Sequence, residues 1–168
     1  MGQFRGPVAS FARTLGVRSE ECEDVAQSTL AAFAKGYRDG KYDPAKGRLR
    51  SWLFGIAYRQ ALSQRRRDGA AGVAVASDAD AALLDEKAAS NAWDRLWDRH
   101  LLETAIRRAS EEFSAPTFRV FDLVVLEDRS TEDAARELGI DVRAVYNAKH
   151  RVVKRVRELI AELEGADA

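Results

Sequence analysis

A chain of 168 residues holds one or two small domains, and 46% hydrophobic with 32% charged side chains is the composition of a folded globular protein rather than a disordered one. No run approaches the roughly 20 apolar residues of a bilayer span, and MGQFRGPVASFAR at the start lacks the apolar stretch of a secretory leader, so a cytoplasmic protein is expected. Cys22 is the only cysteine and neither His100 nor His150 has a cysteine pair beside it, which argues against a disulfide framework and a zinc site; no metal or cofactor is expected.

In chain order, Phe4 to Leu15 carries Val8, Phe11, Ala12 and Leu15 at helical spacing, and Gly16 is a plausible stop. Ser19 reads as the N-cap of a second helix, with Glu20, Glu21 and Glu23 in a first turn where the helix dipole favours acids. Its apolar stripe runs through Cys22, Val25, Ala26, Thr29, Leu30, Phe33 and Tyr37. The opposite face presents Glu23, Asp24, Gln27, Ser28 and Ala31 to solvent or a partner, and Gly36 and Gly40 are expected to end the helix. Asp43-Pro44 and Gly47 then break the chain into a short loop, after which Trp52, Leu53, Ile56, Ala57 and Ala61 define a third helix that Ser51 could cap. Arg48, Arg50, Arg59, Arg65, Arg66 and Arg67 fall outside that stripe, so this helix wears a basic coat.

From Asp68 to about Lys87 the chain is rich in Ala, Gly and Asp, without an aromatic residue, and reads as an interdomain linker. The second half begins near Asn91 with a long amphipathic helix marked by Trp93, Leu96, Trp97, Leu101, Ala105, Ile106, Ala109 and Phe113, which Pro116 is expected to end. Thr117 to Leu126, with Phe118, Phe121, Val124 and Val125, is expected to be a short buried helix. Ser130 and Asp133 have the form of a capping box, Ala134, Ala135 and Leu138 make an inner face, and Gly139 is a C-terminal stop. After one tight turn Asp141 caps a last helix with core positions Val145, Ala148, Val152, Val156, Leu159 and Leu163. Two helices around a Gly-containing turn, with small residues inside the first and basic and amide side chains outside the second, make a helix-turn-helix. Arg143, Ala144, Tyr146 and Asn147 would meet base edges, and His150, Arg151, Lys154 and Arg155 would lie nearer phosphates.

The 27 basic and 27 acidic residues balance overall but are unevenly placed. Lys35 to Arg67 holds ten basic residues against Asp39 and Asp43, and Arg143 to Arg157 holds six with no acid, whereas Asp78 to Asp128 is acidic. Two basic patches with an acidic spacer fit a protein that touches a polyanion at two places. No Gly-rich phosphate loop and no nucleophile beside a base can be found, so an enzyme is not expected.

The pieces, in this order, resemble an ECF (extracytoplasmic-function) sigma factor of the sigma-70 family of bacterial RNA polymerase. SEECEDVAQSTLAAFAKGY resembles the family's acidic helix at Glu23, Asp24, Val25, Gln27 and Phe33; YDPAKGRLRSWLFGIAYRQALSQRRR resembles the loop and helix that open the minus-ten element; the C-terminal motif resembles the domain that reads the minus-thirty-five element, through Ala134, Leu138, Gly139, Val145 and Arg151. The resemblance implies an all-α fold of two small helical domains joined by a flexible acidic linker: residues 1–67 as region two, 68–90 as linker, and 91–168 as region four. It further implies that Glu23, Asp24, Gln27, Ser28 and Ala31 bind the polymerase beta-prime clamp. Lys46, Arg48, Arg50, Trp52, Arg59, Gln60, Ser63, Arg66 and Arg67 would serve the minus-ten DNA, although Arg59 and Ser63 stand where the family often has Asn and Asp. Arg143, Ala144, Tyr146, Asn147, His150, Arg151 and Lys154 would serve the minus-thirty-five DNA. Partners so implied are core polymerase, through the beta-prime clamp and beta flap, and promoter DNA, with an anti-sigma protein as a further partner and a monomer as the free state. A stand-alone helix-turn-helix regulator would account for the C-terminal motif equally well, but leaves the Trp52 helix and the acidic helix before it without a purpose.

Overall fold

A computed structural model of the chain describes residues 4–70 and 85–165. Seven α-helices are formed there, with no strand among the described residues: α1 (Arg5–Thr14), α2 (Cys22–Arg38), α3 (Leu49–Ala70), α4 (Glu86–Glu112), α5 (Ala115–Phe121), α6 (Thr131–Leu138) and α7 (Val142–Gly165). The chain divides into two compact units between His100 and Leu101, inside α4. Of the expected linker, 68–70 finish α3 and 85–90 lie at or in the start of α4, while 71–84 lie outside the described residues.

In the first unit α1, α2 and α3 pack on one another. Val8, Phe11 and Leu15 of α1 and its end, Cys22, Val25 and Phe33 of α2, and Leu53, Ile56, Ala57 and Ala61 of α3 are buried together as the stripes predict. Trp93 and Trp97 of α4, expected with the second domain, belong here instead. Trp93 packs edge-on against Phe11 at 5.2 Å and tilted against Phe54 at 6.2 Å, and Trp97 stacks on Phe4 at 5.2 Å. Large aromatic rings bury most area where other rings already wait, and the partners Phe4, Phe11 and Phe54 all lie in the first unit.

Several local expectations differ in this unit: Ser51 lies inside α3 rather than capping it, and Tyr37, placed on the apolar stripe of α2, is 55% exposed. Ser19 caps no helix: Ser19–Glu21 is a 3-10 turn, and α2 begins at Cys22 without a side-chain cap. Glu21 is drawn instead to Arg18 and Gln64, and Gln64 also donates to the buried Asp68 at 3.0 Å, so the turn is tied to the end of α3. Burial pushes the Glu21 carboxyl up, but hydrogen bonds from Gln64 and Arg18 hold it below its ordinary range. Gly36 does not end α2 either. It lies inside the helix under the Trp52 ring, where a Cβ would come within 3.0 Å of the indole, and the chain turns at Gly40, whose φ is +68°.

The second unit is built on Val120, Leu123, Ala134, Ala135 and Val145, with Val124, Leu138, Val142 and Ala148 against them. Pro116 does not end the preceding helix; α4 stops at Glu112 and Pro116 sits in the first turn of α5, where its missing N–H costs nothing. Asp122–Leu126 continues α5 as a π-helical turn that leaves Val125 and Leu126 exposed, so the expected burial of Val125 does not occur. Among the described residues no helix is long and apolar enough to cross a membrane.

Candidate nucleic-acid interface

At the loop between α2 and α3, the Asp43 carboxylate accepts the Ala45 N–H at 3.0 Å and a 3-10 turn spans Pro44–Lys46. Gly47 follows with φ +142°, a conformation that side chains resist, and its carbonyl accepts the Tyr42 hydroxyl at 3.3 Å. The loop folds back over an aromatic run: Tyr42 lies 5.5 Å from Trp52, Trp52 5.1 Å from Phe33, and Tyr37 6.1 Å from Tyr42. A cavity of about 210 Å³ opens here, lined by Lys41, Tyr42, Asp43, Lys46, Gly47, Arg48, Ser51 and Trp52. Planar apolar walls edged with cations suit an unstacked base with its phosphates.

Of the basic residues expected at this site, Lys46, Arg48, Arg59, Arg66 and Arg67 are exposed. Arg67 is held against Gln64, and Lys46 lies 3.6 Å from Asp43. Gln60, Ser63, Trp52 and Arg50 are half-buried. Arg50 ends between Asp94 at 3.0 Å and Asp98 at 3.4 Å, carboxylates one turn apart on α4. Arg65, part of the expected coat, turns inward and donates to the Leu15 carbonyl at 2.8 Å, satisfying an orphan acceptor beyond the end of α1. Lys41 and Tyr42 line the cavity but were not among the residues expected at the site. Their signal was a tyrosine standing alone in a polar loop beside Asp43-Pro44.

On α2 the five residues Glu23, Asp24, Gln27, Ser28 and Ala31 are all exposed, and Glu23 meets Arg5 at 2.6 Å. They form one polar, acid-bearing face opposite the buried stripe.

The helix-turn-helix of the second unit forms as its sequence predicts. Ser130 accepts the Asp133 N–H at 3.0 Å and donates to the Asp133 carboxylate at 2.7 Å, a bond that holds the carboxyl below its usual range. Gly139 is left-handed at φ +65°, Ile140 N–H returns to the Ala135 carbonyl at 3.0 Å, and Asp141 accepts the Arg143 N–H at 2.8 Å. Arg143, Ala144, Tyr146, Asn147, His150, Arg151 and Lys154 are all exposed on α7. Arg151 rests over the Phe113 ring at 5.7 Å, which steadies its charge without removing it from solvent. Arg155, expected near phosphates, is a correction. Glu112 grips it at 2.6 Å and 3.0 Å, Glu162 at 2.8 Å and Glu158 at 3.5 Å, so three carboxylates already satisfy its guanidinium. Its hydrogen bonds to them raise its proton affinity further, and the same contact lowers that of Glu112.

Such a molecule, two helical units with an aromatic, cation-edged loop on one and a helix-turn-helix on the other, belongs to the class of helical DNA-reading proteins. Residues 1–71 match the family model described as Sigma-70 region 2, and residues 103–156 the one described as Sigma-70, region 4. The chain belongs to the sigma-70 family, as a sigma factor of the ECF type. It works with RNA polymerase core at promoter DNA, recognising promoters for transcription initiation, in a family of non-catalytic regulators. The first match assigns a purpose to the half of the chain that a stand-alone regulator left unexplained. No curated protein and no solved structure matched the chain.

Proposed function

We propose that this sigma factor divides its work among three faces. Glu23, Asp24, Gln27, Ser28 and Ala31 of α2 dock on the polymerase beta-prime clamp; the loop cavity and the outer side of α3, with Lys46, Arg48, Trp52, Arg59, Gln60, Ser63, Arg66 and Arg67, hold the minus-ten strand; α7 reads the minus-thirty-five duplex. At α7, Arg143, Ala144, Tyr146 and Asn147 face base edges, and His150, Arg151 and Lys154 neutralise phosphates. The second unit also meets the beta flap, and the free protein is a cytoplasmic monomer open to capture by an anti-sigma protein.

The observation that carries this reading is the loop cavity, where Tyr42 and Trp52 supply flat walls beside Lys41, Lys46 and Arg48. Unstacking costs a few kcal/mol, and base-on-ring contact of about 1–3 kcal/mol per base offsets it. A mixing experiment tests the whole: purified polymerase core, a promoter library and the full chain. Specific transcripts and comigration with core are expected. Tight binding to duplex DNA alone, with no transcripts and no association with core, would refute it.

A further inference from the structure

We propose that Phe113, in the corner between α4 and α5, is a positioning residue for promoter binding: its ring presents Arg151 of α7 to the minus-thirty-five phosphates, while Glu112 beside it withdraws Arg155. This rests on Arg151 serving those phosphates.

Asn147, Arg151 and Arg155 follow one another at four-residue spacing, so they share one stripe of α7. The two arginines have the same charge and the same reach, yet the fold treats them differently. Arg155 is occupied by Glu112, Glu158 and Glu162. Arg151 is exposed, has no carboxylate partner among the described residues, and lies over the Phe113 ring at 5.7 Å. An aromatic face attracts a guanidinium without consuming its fork of N–H donors, which stay open to phosphate oxygens.

The ring has a competitor to outbid. Glu112 is the chain neighbour of Phe113, and Glu158 stands two turns beyond Arg151 on α7, so a guanidinium on a loose stem would be drawn to the same acids that hold Arg155. The last turn of α4 carries no basic residue of its own, and its carbonyl end favours a cation from elsewhere. Phe113 is fixed at that end: its N–H donates to the Ala109 carbonyl at 3.2 Å, so the ring hangs from a closed helical turn. A side chain already held gives up less rotamer freedom on binding, which tightens a complex without adding a contact.

The test uses holoenzyme assembled from the full chain and polymerase core, titrated onto a promoter fragment at several salt concentrations, with a scrambled minus-thirty-five element as reference. Phe113→Leu should weaken binding roughly two- to five-fold and leave the salt dependence near that of wild type, because the charge is still present. Phe113→Tyr, which keeps the ring, should bind as wild type does. Arg151→Ala should weaken binding and lower the salt slope by about 1, and in that background Phe113→Leu should cost nothing further. A Phe113→Leu loss that persists undiminished in the Arg151→Ala background, or that Phe113→Tyr shares, makes the ring a packing element only and overturns the proposal. Unchanged affinity for Phe113→Leu while Arg151→Ala binds weakly overturns it too, and leaves the phosphate role of Arg151 standing. If Arg151→Ala itself leaves affinity and salt slope untouched, Arg151 serves no phosphate and that part of the sigma reading falls with the proposal. Thermal unfolding of the second unit controls for folding. Should Phe113→Leu fail there, Arg151→Lys decides: it keeps the charge but not the flat guanidinium, so weaker binding with an unchanged salt slope is expected, and wild-type binding would overturn the proposal.

Discussion

Single arginines separate what charge counting lumps together. Arg48 is exposed, Arg50 is shared by two aspartates, Arg65 closes on a backbone carbonyl and Arg155 is enclosed by three glutamates. Partners distant in sequence distinguish Arg50 and Arg65 and supply Glu112 to Arg155, whose other two glutamates lie on its own helix, so the basic coat was legible as composition but not as function. The Arg155 clasp predicts a pH dependence. The Glu112 carboxyl is held below its ordinary value of 4.5 by its hydrogen bond to Arg155, so its contribution to stability is present above that value and lost as pH falls through the lower folded one. Melting temperature followed across that range should fall less steeply for Glu112→Gln than for wild type; parallel curves would count against the clasp. Arg155→Ala should likewise lower the melting temperature while leaving affinity for a minus-thirty-five duplex unchanged at temperatures where the fold is intact.

Among elements, the helix-turn-helix follows its sequence most closely, because its signals are local: a cap at Ser130, a left-handed glycine at 139, a second cap at Asp141. Ser130→Ala should cost about 0.5–2 kcal/mol of stability, read by urea unfolding, by leaving an N-terminal amide of α6 without its acceptor. Arg143→Ala should reduce discrimination at the upstream element by about 1–3 kcal/mol in competition binding; unchanged sequence preference would remove Arg143 from the reading set. Helix ends set by tertiary contact were less legible. Gly36 reads as a stop in sequence, yet its lack of a side chain lets the Trp52 ring lie against α2, and that ring also walls the loop cavity.

For the whole molecule, α4 is the element that sequence divided differently from the fold. Its apolar stripe predicts one helix, as found, but periodicity does not say which core each turn will enter. Trp93 is 1% exposed and Trp97 2%, both inside the first unit. Trp93→Ala should therefore destabilise that unit by about 3–5 kcal/mol, measured by chemical denaturation with probes in each unit, and leave the second unit's transition in place. Replacing Asp24 or Gln27 should weaken capture by polymerase core without altering thermal unfolding, because both lie on the exposed face of α2. Sequence by itself determined the helices, the helix-turn-helix and the two basic patches, since caps, glycines and apolar spacing act within a few residues. Tertiary structure alone decided that α4 completes the aromatic core of the first unit, which arginines stay exposed, and where the loop cavity opens. Those outcomes depend on which distant ring or carboxylate arrives beside each side chain.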